Sequence, residues 1–355
     1  MDFNFSQDEL DLRDGAREYL RGRCTPEVLR GLVENGSASL DSWSELVEMG
    51  LVGFLIPEPA GGLGMSDTGF VLLAEEAGYV AMPEPLIDVA GVAAPLLAGL
   101  DADLAAQVAG GEARVVTAHP LNPYVNQLKP SDRILLFADN AAGLVDAADA
   151  GAEDVAGIDP LRRLSKVCVS DATTLATGAE VGVLAKRAAL RGALFTAAEL
   201  LGLTAAMIDM SKNYAVERKQ FGVAIGTFQA VKHHLSTAFT KLEFARPAVY
   251  RAAATLKGAD ERSALHVAHA KIAAVDAAIN AAETAIQVHG GIGYTFEADL
   301  HLFMKRVWAL AGLWGDRNYH MNEVDRAVFD QRLKLGPAAT FPSAGNALGT
   351  EELGR

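Results

Sequence analysis

The chain has 355 residues, half of them hydrophobic, with a formal net charge of -14 and a pI near 5.0. This length and hydrophobicity suffice for a substantial core, which excludes a disordered protein and predicts two or three domains. The acidic excess argues against nucleic acid or an anionic membrane as a partner, because both are bound mainly through clustered Lys and Arg. Two cysteines, Cys24 and Cys168, are too few for a disulfide framework or a thiolate metal site, which predicts a reducing, cytoplasmic location.

Residues 1–110 are predicted to form an N-terminal helical domain. Ser6 is placed to cap a helix, because acidic residues follow it and Leu10 and Leu12 begin an apolar stripe. The start of the chain shows no basic and apolar leader, and no uncharged apolar stretch reaches the roughly 18 residues that a membrane span needs. The elements predicted next are a helix over 41–49, a glycine- and proline-rich loop over 53–64 and a helix over 70–79.

Residues 111–181 are predicted to form a reduced middle β-domain. Short runs rich in β-branched residues are separated there by Gly, Pro, Asn and Asp, as is typical of strands. These runs are Val115–Ala118, Arg133–Ala138 and Lys166–Val169. The segment is short for a closed barrel, so we expect its role to be mainly structural.

Residues 182–335 are predicted to form a C-terminal four-helix bundle, the best-marked domain of a mainly α protein. Apolar residues recur there at three- and four-residue steps, and helices this rich in Ala pack closely. In the second helix Leu235, Phe239, Leu242 and Ala245 are predicted to form one apolar face. The predicted helices are Val183–Val216, Phe228–Leu256, Glu261–His289 and Glu297–Phe329. Residues 336–355 lack periodicity and are predicted to be disordered. No metal site is expected, since no third ligand is spaced near His266 and His269.

The first candidate site is the run Glu217-Arg218-Lys219-Gln220-Phe221-Gly222, at the end of the first bundle helix. The guanidinium fork of an Arg binds phosphate oxygens bidentately and does not lose its charge. A cation at a helix C-terminus also offsets the helix dipole. Taken alone, the run therefore fits either a phosphate site or a solvated helix end.

The second candidate site is Gln287-Val288-His289-Gly290-Gly291-Ile292-Gly293-Tyr294, at the end of the third bundle helix. Its three glycines exceed what a helix stop requires. Glycine lets a ligand approach the backbone closely, and the Gln287 amide can both donate to and accept from a nucleotide. Because these glycines follow a helix instead of a strand, the motif is not a Rossmann fingerprint.

These two motifs, extended by Phe228 and Gln229, resemble the signatures of the acyl-CoA dehydrogenase flavoproteins. The N-terminal pattern of Trp43 and Gly61-Gly62-Leu63-Gly64 is also similar to that family. The resemblance implies an FAD that belongs mainly to a neighbouring subunit. The residues that it assigns to this cofactor are Arg218, Gln220, Phe221, Phe228, Gln229, Gln287, Val288, Gly290 and Gly291. The middle segment departs from the family pattern, because it has no Thr-Glu-Pro followed by Gly-Ser-Asp, and Thr117-Ala118-His119-Pro120 is the nearest remnant.

The resemblance also predicts where the catalytic glutamate should lie, and neither position holds a carboxylate. Family members carry it nine residues after the Arg corresponding to Arg306, which is Gly315 here, or early in the first bundle helix, which is Gly192. A base is needed because the α-proton must be removed while hydride leaves the β-carbon. Asp316 lies one residue beyond the first position, about 100° further around a helix, and Glu199 lies roughly 10 Å from the second. Neither is a natural substitute.

The chain therefore resembles the base-less subunits of heteromeric acyl-CoA dehydrogenases of actinobacteria, which desaturate CoA thioesters of steroid side chains. The resemblance implies an α2β2 assembly with an acyl-CoA substrate and an electron-transfer flavoprotein as acceptor. The second, similar subunit would supply the flavin-ring pocket and the glutamate. Two alternatives stay open. One is a self-sufficient homo-oligomeric dehydrogenase that uses Asp316 or another carboxylate, and the other is a non-catalytic scaffold that binds acyl-CoA or protein.

Overall fold

A computed structural model describes residues 5–138, 140–169, 172–257 and 262–330. It shows a mainly α protein with a small β region in its middle, which confirms the predicted fold class. The expected disorder of residues 336–355 and the predicted helix start at Glu261 lie outside the described residues.

The N-terminal part consists of short helices around a shared core. They are α1 (Gln7–Arg23), α2 (Pro26–Glu34), α3 (Trp43–Glu48), α4 (Asp67–Tyr79), a π-helical segment (Ile87–Ala93) that continues into α5 (Ala94–Leu100), and α6 (Ala102–Gly110). The predicted cap at Ser6 is part of a capping box, since Glu9 N–H donates to Ser6 and Glu9 in turn accepts from the Ser6 N–H. Glu9 also accepts from the hydroxyl of Ser66, the N-cap of α4. One carboxylate therefore joins the starts of α1 and α4.

The described residues of the middle region form seven short strands in two sheets. They are β1 (Val115–Ala118), β2 (Tyr124–Asn126), β3 (Arg133–Ala138), β4 (Ala141–Asp146), β5 (Glu153–Val155), β6 (Leu164–Lys166) and β7 (Thr173–Thr177). The larger sheet has the order β1-β3-β4-β7, with β1 parallel to β3 and Val115 opposite Arg133, and the smaller has the order β2-β6-β5. The predicted strand Lys166–Val169 is misplaced, because pairing ends at Lys166 and the Cys168 N–H donates to Ala150.

The C-terminal part is built on three long helices, α7 (Ala179–Glu217), α8 (Gln229–Lys257) and α9 (Ser263–His289). A two-residue hairpin of β8 (Lys219–Gln220) and β9 (Val223–Ala224) separates α7 from α8. The predicted fourth helix, Glu297–Phe329, is wrong as a continuous element. It is two helices, α10 (Leu300–Ala311) and α11 (Arg317–Asp325), because Trp314 and Gly315 adopt positive φ angles of 57° and 96°.

Helices α4 and α7 cross at two glycines, which fixes the N-terminal helices on the bundle. A Cβ at Gly78 would lie 2.0 Å from the Glu199 carbonyl oxygen, and one at Gly202 would lie 1.9 Å from the Glu75 carbonyl oxygen. The buried ion pair Arg191–Asp67, at 2.9 Å, joins the same helices. By length and composition α7 could cross a membrane, but 72% of its most apolar stretch is buried inside the fold, as in a core helix.

Candidate functional site

The two sequence motifs lie together at one end of the bundle. Helix α8 runs back along the bundle between α7 and α9. Helices α7 and α9 therefore run in the same direction and both end on this side. Tyr214, in the last turn of α7, stacks on His289, at the end of α9, with 4.4 Å between ring centroids. Burial lowers the pKa of His289, and its Nδ1 lies 2.8 Å from the Ala285 carbonyl, so the ring is a neutral packing partner.

The first motif forms the β8–β9 hairpin, whose turn is Phe221-Gly222. Both residues have positive φ, 53° and 84°, the geometry of a type I′ turn. Asn or Asp is the usual residue at the first position, because a Phe in this conformation is strained by about 1–3 kcal/mol. The Phe221 ring is 94% exposed and meets the ring of Phe228 edge-on at 6.2 Å. Among the described residues, this edge-on contact is the aromatic contact that the Phe221 ring makes, so most of the ring is left open to solvent.

The second motif forms a turn of 3-10 helix over Gly290–Tyr294. Gly290 has a φ of 63°, and a Cβ at Gly290 or Gly291 would meet no atom within 4 Å. Gly293 differs, because its backbone packs against His289 and Ile286. The first two glycines therefore leave open space beside the backbone, whereas the third serves packing.

The residues predicted to hold the cofactor are exposed, with one exception. Those exposed are Arg218, Gln220, Phe221, Phe228, Gln229, Gln287, Gly290 and Gly291. The exception is Val288, whose side chain is buried in the bundle. A cation, two amides and open glycine backbone at one end of the bundle suit a pyrophosphate and its nucleoside, so this half of the site fits the FAD that the resemblance implies.

Further aromatic rings are exposed on the elements next to the two motifs. Phe239 and Phe244 lie on α8, Tyr294 ends the glycine turn and Phe296 follows it; each is more than half exposed. The predicted apolar face of α8 is partly wrong for this reason. Leu242 and Ala245 are buried as expected, but Phe239 faces out. Exposed rings in such number are typical of a surface that another protein covers.

The segment expected to meet the flavin ring, Thr117-Ala118-His119-Pro120, is packed against other side chains of this chain. His119 is buried, with its ring 5.6 Å from that of Phe137 and 5.3 Å from that of Trp314. Burial lowers its pKa to about 4, so the imidazole is neutral. Thr117 and Asn122 are buried as well. This half of the site does not fit a flavin, because the chain's own rings pack at the place.

An indole packs against one of the two positions where the family carries its base and directly precedes the other in the chain. Trp314, next to Gly315, is fully buried against Gly192. A Cβ at Gly192 would lie 2.2 Å from Trp314 Cδ2, so no larger side chain fits at Gly192 while the indole is in place. Trp314 was not among the residues predicted for the site. The sequence feature that could have identified it is the Trp-Gly pair directly after a helix.

Two buried side chains hold the turn that carries Trp314. Lys271 Nζ donates to the carbonyls of Leu310 and Leu313, each at 2.9 Å, and His320 Nε2 lies 3.1 Å from the Trp314 carbonyl. Burial lowers the pKa of Lys271 to about 7 and that of His320 to about 4. The contacts of Lys271 and His320 therefore fix the strained turn from both sides.

The carboxylates near this turn are engaged elsewhere. Asp316 is exposed and caps α11 by accepting from the Tyr319 N–H at 2.7 Å. Glu199 is buried, lies 3.4 Å from the Arg306 guanidinium and has its pKa raised by burial. Asp88, which sequence reasoning missed, has its pKa raised to about 6 by burial, which Arg162 and the Trp314 indole oppose.

Buried Asp88 and Glu199 belong to one cluster of charges. Both line a small cavity of about 30 Å³ together with Arg162 and Arg306. Arg306 also pairs with Asp159 in the same buried region. Across the described ranges, no group of three or more His, Cys, Asp or Glu side chains is placed to hold a metal ion.

Comparison with known proteins supports the same family throughout the chain. The sequence matches the model of the acyl-CoA dehydrogenase N-terminal domain over residues 6–100 and that of the C-terminal domain over residues 183–329. It is 29% identical over 321 residues to the acyl-CoA dehydrogenase IpdE2 of Mycolicibacterium smegmatis, covering 90% of this chain and 98% of the relative.

Two solved structures share the fold. The ChsE4-ChsE5 complex from Mycobacterium tuberculosis aligns with a TM-score of 0.80 at 22% identity over 92% of this chain and 99% of that one. The Tcur3481-Tcur3483 steroid ACAD aligns with the same score, identity and coverage. The same family is found by the two domain matches, by the full-length relative and by the fold. The chain therefore belongs to the acyl-CoA dehydrogenase family, whose cofactor is FAD.

Proposed function

We propose that this chain is a subunit of a heteromeric FAD-dependent acyl-CoA dehydrogenase that does not carry the catalytic base. Its partner, a second subunit of the same family, supplies the glutamate and the pocket for the flavin ring. This chain supplies Arg218, Gln220 and Gln287, with the Gly290-Gly291 backbone, to the pyrophosphate and adenine of the partner's FAD. FAD accepts the hydride when it is bound there, and the residues of this chain bind and orient it.

The observation that carries the proposal is the packing of the Trp314 indole, directly before Gly315, against Gly192. A glutamate at Gly192 would have to displace Trp314, and the turn at Trp314-Gly315 is held by Lys271 and His320. The base of an acyl-CoA dehydrogenase must reach the substrate α-carbon in a dry pocket. Here a bulky apolar ring occupies that place, so this chain has no carboxylate there to take the proton.

The exposure of the cofactor residues supports a shared site. In the part of the chain that the structure describes, Arg218 is exposed, and Phe221 projects from the hairpin. A cofactor held by these residues would be largely open to solvent unless a second subunit covered it. The closed segment around His119 supports the same division, because the flavin ring then has to lie in the partner.

The relatives support the assembly and the substrate class as proposals. ChsE4-ChsE5 is a complex of two chains, and Tcur3481-Tcur3483 is a steroid ACAD. By this analogy we propose an α2β2 complex that desaturates an acyl-CoA, with a steroid side-chain thioester as substrate and an electron-transfer flavoprotein as acceptor. Fold-level analogy carries the assignments of the assembly, the substrate and the electron acceptor, whereas the site carries the cofactor role.

The self-sufficient alternative would have to use a carboxylate of this chain. Asp88 is the best placed, since burial raises its pKa to about 6, close to the range of a working base. It lies in a buried charge cluster with Arg162. This alternative predicts that the chain purified alone is yellow and reduces a dye with an acyl-CoA. The alternative of a non-catalytic scaffold predicts that no FAD is bound even when the chain is in a complex with a partner.

Substitution of Arg218 tests the cofactor role. Arg218→Ala removes a charge-assisted contact worth roughly 1.5–3 kcal/mol, so FAD affinity should fall about 10- to 150-fold. Arg218→Lys should recover only part of the loss, because an ammonium lacks the fork. FAD release from the complex, purified through a tag on this chain, is followed by flavin fluorescence.

Arg23→Ala is the matched control, since Arg23 is also an exposed cation at the C-terminal end of a helix. It should leave FAD release unchanged. Equal FAD retention in all four proteins would mean that Arg218 only offsets the dipole of α7.

A further inference from the structure

The small cavity of about 30 Å³ that Asp88 and Glu199 line lies where the three regions of the chain meet. The N-terminal part contributes Glu84 to its wall, the β region contributes Asn126 on β2, and the bundle contributes Arg306 on α10. Each of these last three residues is at most 6% exposed. None of the residues assigned to the cofactor lines the cavity, so it is a separate polar space inside the core.

One buried polar atom in each of these three side chains has no hydrogen-bond partner among the described residues. These atoms are Glu84 Oε2, Asn126 Oδ1 and Arg306 Nη2. The two oxygens accept hydrogen bonds, whereas the guanidinium nitrogen donates them. An unpaired polar atom in a core costs free energy, and more so where the group is charged. Three such atoms around one cavity therefore indicate a ligand that pairs with them.

The other polar atoms of the two charged side chains are already held by the protein. Glu84 Oε1 accepts a hydrogen bond from the Leu40 N–H at 2.9 Å. Arg306 Nη1 donates to the Met82 carbonyl at 2.7 Å, and Arg306 Nε donates to Asp159. These contacts fix the direction of the unpaired oxygen and of the unpaired nitrogen. Neither side chain can turn toward a new partner without breaking a hydrogen bond, so the ligand must come to them.

The charges around the cavity decide the chemistry of this ligand. Glu84, Asp88 and Glu199 bring carboxyl groups to the wall, and Arg162 and Arg306 bring guanidinium groups. An anion would lie against three carboxyl groups. A metal ion or an ammonium ion cannot accept a hydrogen bond from Arg306, and an apolar molecule would pair with none of the three atoms. What fits is a small neutral molecule that both donates and accepts, and water has these properties.

We propose that this cavity is a site for ordered water, which accepts from Arg306 Nη2 and donates to Glu84 Oε2 and Asn126 Oδ1. The volume agrees with this, since a buried water needs roughly 10–15 Å³ of space and two to four polar partners, so about one or two molecules fit. The water joins the N-terminal, β and bundle regions at one point inside the core. The inference holds whether or not this chain shares the FAD of a partner.

Magnetic relaxation dispersion of water counts the long-lived buried waters of the chain in solution. Asn126→Leu removes one polar partner, and its larger apolar side chain fills the cavity, so the count should fall by about one or two relative to wild type. The control is Asn318→Leu, which changes an exposed asparagine on α11 and should leave the count unchanged. An equal count in wild type and Asn126→Leu would refute the proposal.

A high-resolution crystal structure of the wild-type chain, alone or in its complex, tests the site even if Asn126→Leu does not fold. Density for water within hydrogen-bond distance of Arg306 Nη2 and of Glu84 Oε2 or Asn126 Oδ1 is the expected result. An empty cavity, or an ion in it, would overturn the proposal. Direct hydrogen bonds among these three side chains across a closed space would overturn it as well.

Discussion

At the scale of single residues, the most informative contact is that between Gly192 and Trp314. The sequence identified both base positions as glycine, but it could not show that Trp314, which directly precedes Gly315, packs against Gly192. Glycine at residue 192 is explained by this packing, since any side chain there would overlap the ring.

Gly192→Ala should destabilise the chain by about 1–3 kcal/mol, the usual cost of overpacking, because its Cβ would lie 2.2 Å from the indole. Gly182→Ala is the matched control in the same helix. A Cβ at Gly182 meets nothing within 4 Å, so this change should be neutral or stabilise by up to about 1 kcal/mol. Urea unfolding followed by circular dichroism gives both values.

The double variant Gly192→Ala/Trp314→Ala shows whether the indole is the cause. Trp314→Ala alone should cost roughly 3–5 kcal/mol, but adding Gly192→Ala to it should cost little, since the ring that it displaces is gone. Additive free energies in this cycle would mean that Gly192 is constrained by something other than Trp314.

At the scale of elements, the decisive structures are two turns that follow helices. The helix predicted over Glu297–Phe329 breaks at Trp314 because Lys271 and His320 bind the carbonyls of the turn. Lys271 lies 39 residues before Leu310 and 42 before Leu313, so periodicity could not reveal its contacts with the turn. The end of α7 and the start of α8 are different, since Gly222 and the change in residue pattern mark the hairpin in the sequence itself.

Lys271→Met should remove a pH dependence of stability. Burial lowers the pKa of Lys271 to about 7 in the fold, so between pH 7 and 9 the unfolded chain binds a proton that the folded chain does not. The wild-type free energy of unfolding should therefore rise with pH over this window by roughly 2 kcal/mol relative to the variant. Urea unfolding of both proteins at pH 7, 8 and 9 measures the difference. Parallel curves would show that Lys271 stays charged in the fold.

Phe221→Asn separates folding from assembly at the β8–β9 turn. Asn tolerates positive φ better than Phe, so the isolated chain should gain up to about 1 kcal/mol of stability. FAD retention by the complex should nevertheless fall, because the 94% exposed ring would meet the cofactor or the partner.

Ile158→Ser is the control for Phe221→Asn, since it removes an apolar side chain that is 53% exposed in the β region. It should leave FAD retention unchanged. Retention that is equally high in wild type and in Phe221→Asn would mean that the ring has no role at the shared site.

At the scale of the whole molecule, the sequence predicted the order of helical, β and helical regions, because hydrophobic periodicity is strong in the long helices. Strands of three residues, such as Tyr124–Asn126, were missed because so short a segment shows no alternation. The exposed side of α8 could not be predicted either. Phe239 follows the apolar period of the helix but faces out, as expected for a surface that another subunit covers.

The amount of FAD in the complex tests the central claim most directly. If only the partner can hold the flavin ring, an α2β2 complex should contain about two FAD, and the chain purified alone should contain almost none. The measurement is the absorbance of released flavin against protein mass, with the subunit ratio taken from native mass spectrometry. Four FAD per α2β2, or stoichiometric FAD in the isolated chain, would contradict the account, because this chain would then hold a flavin of its own.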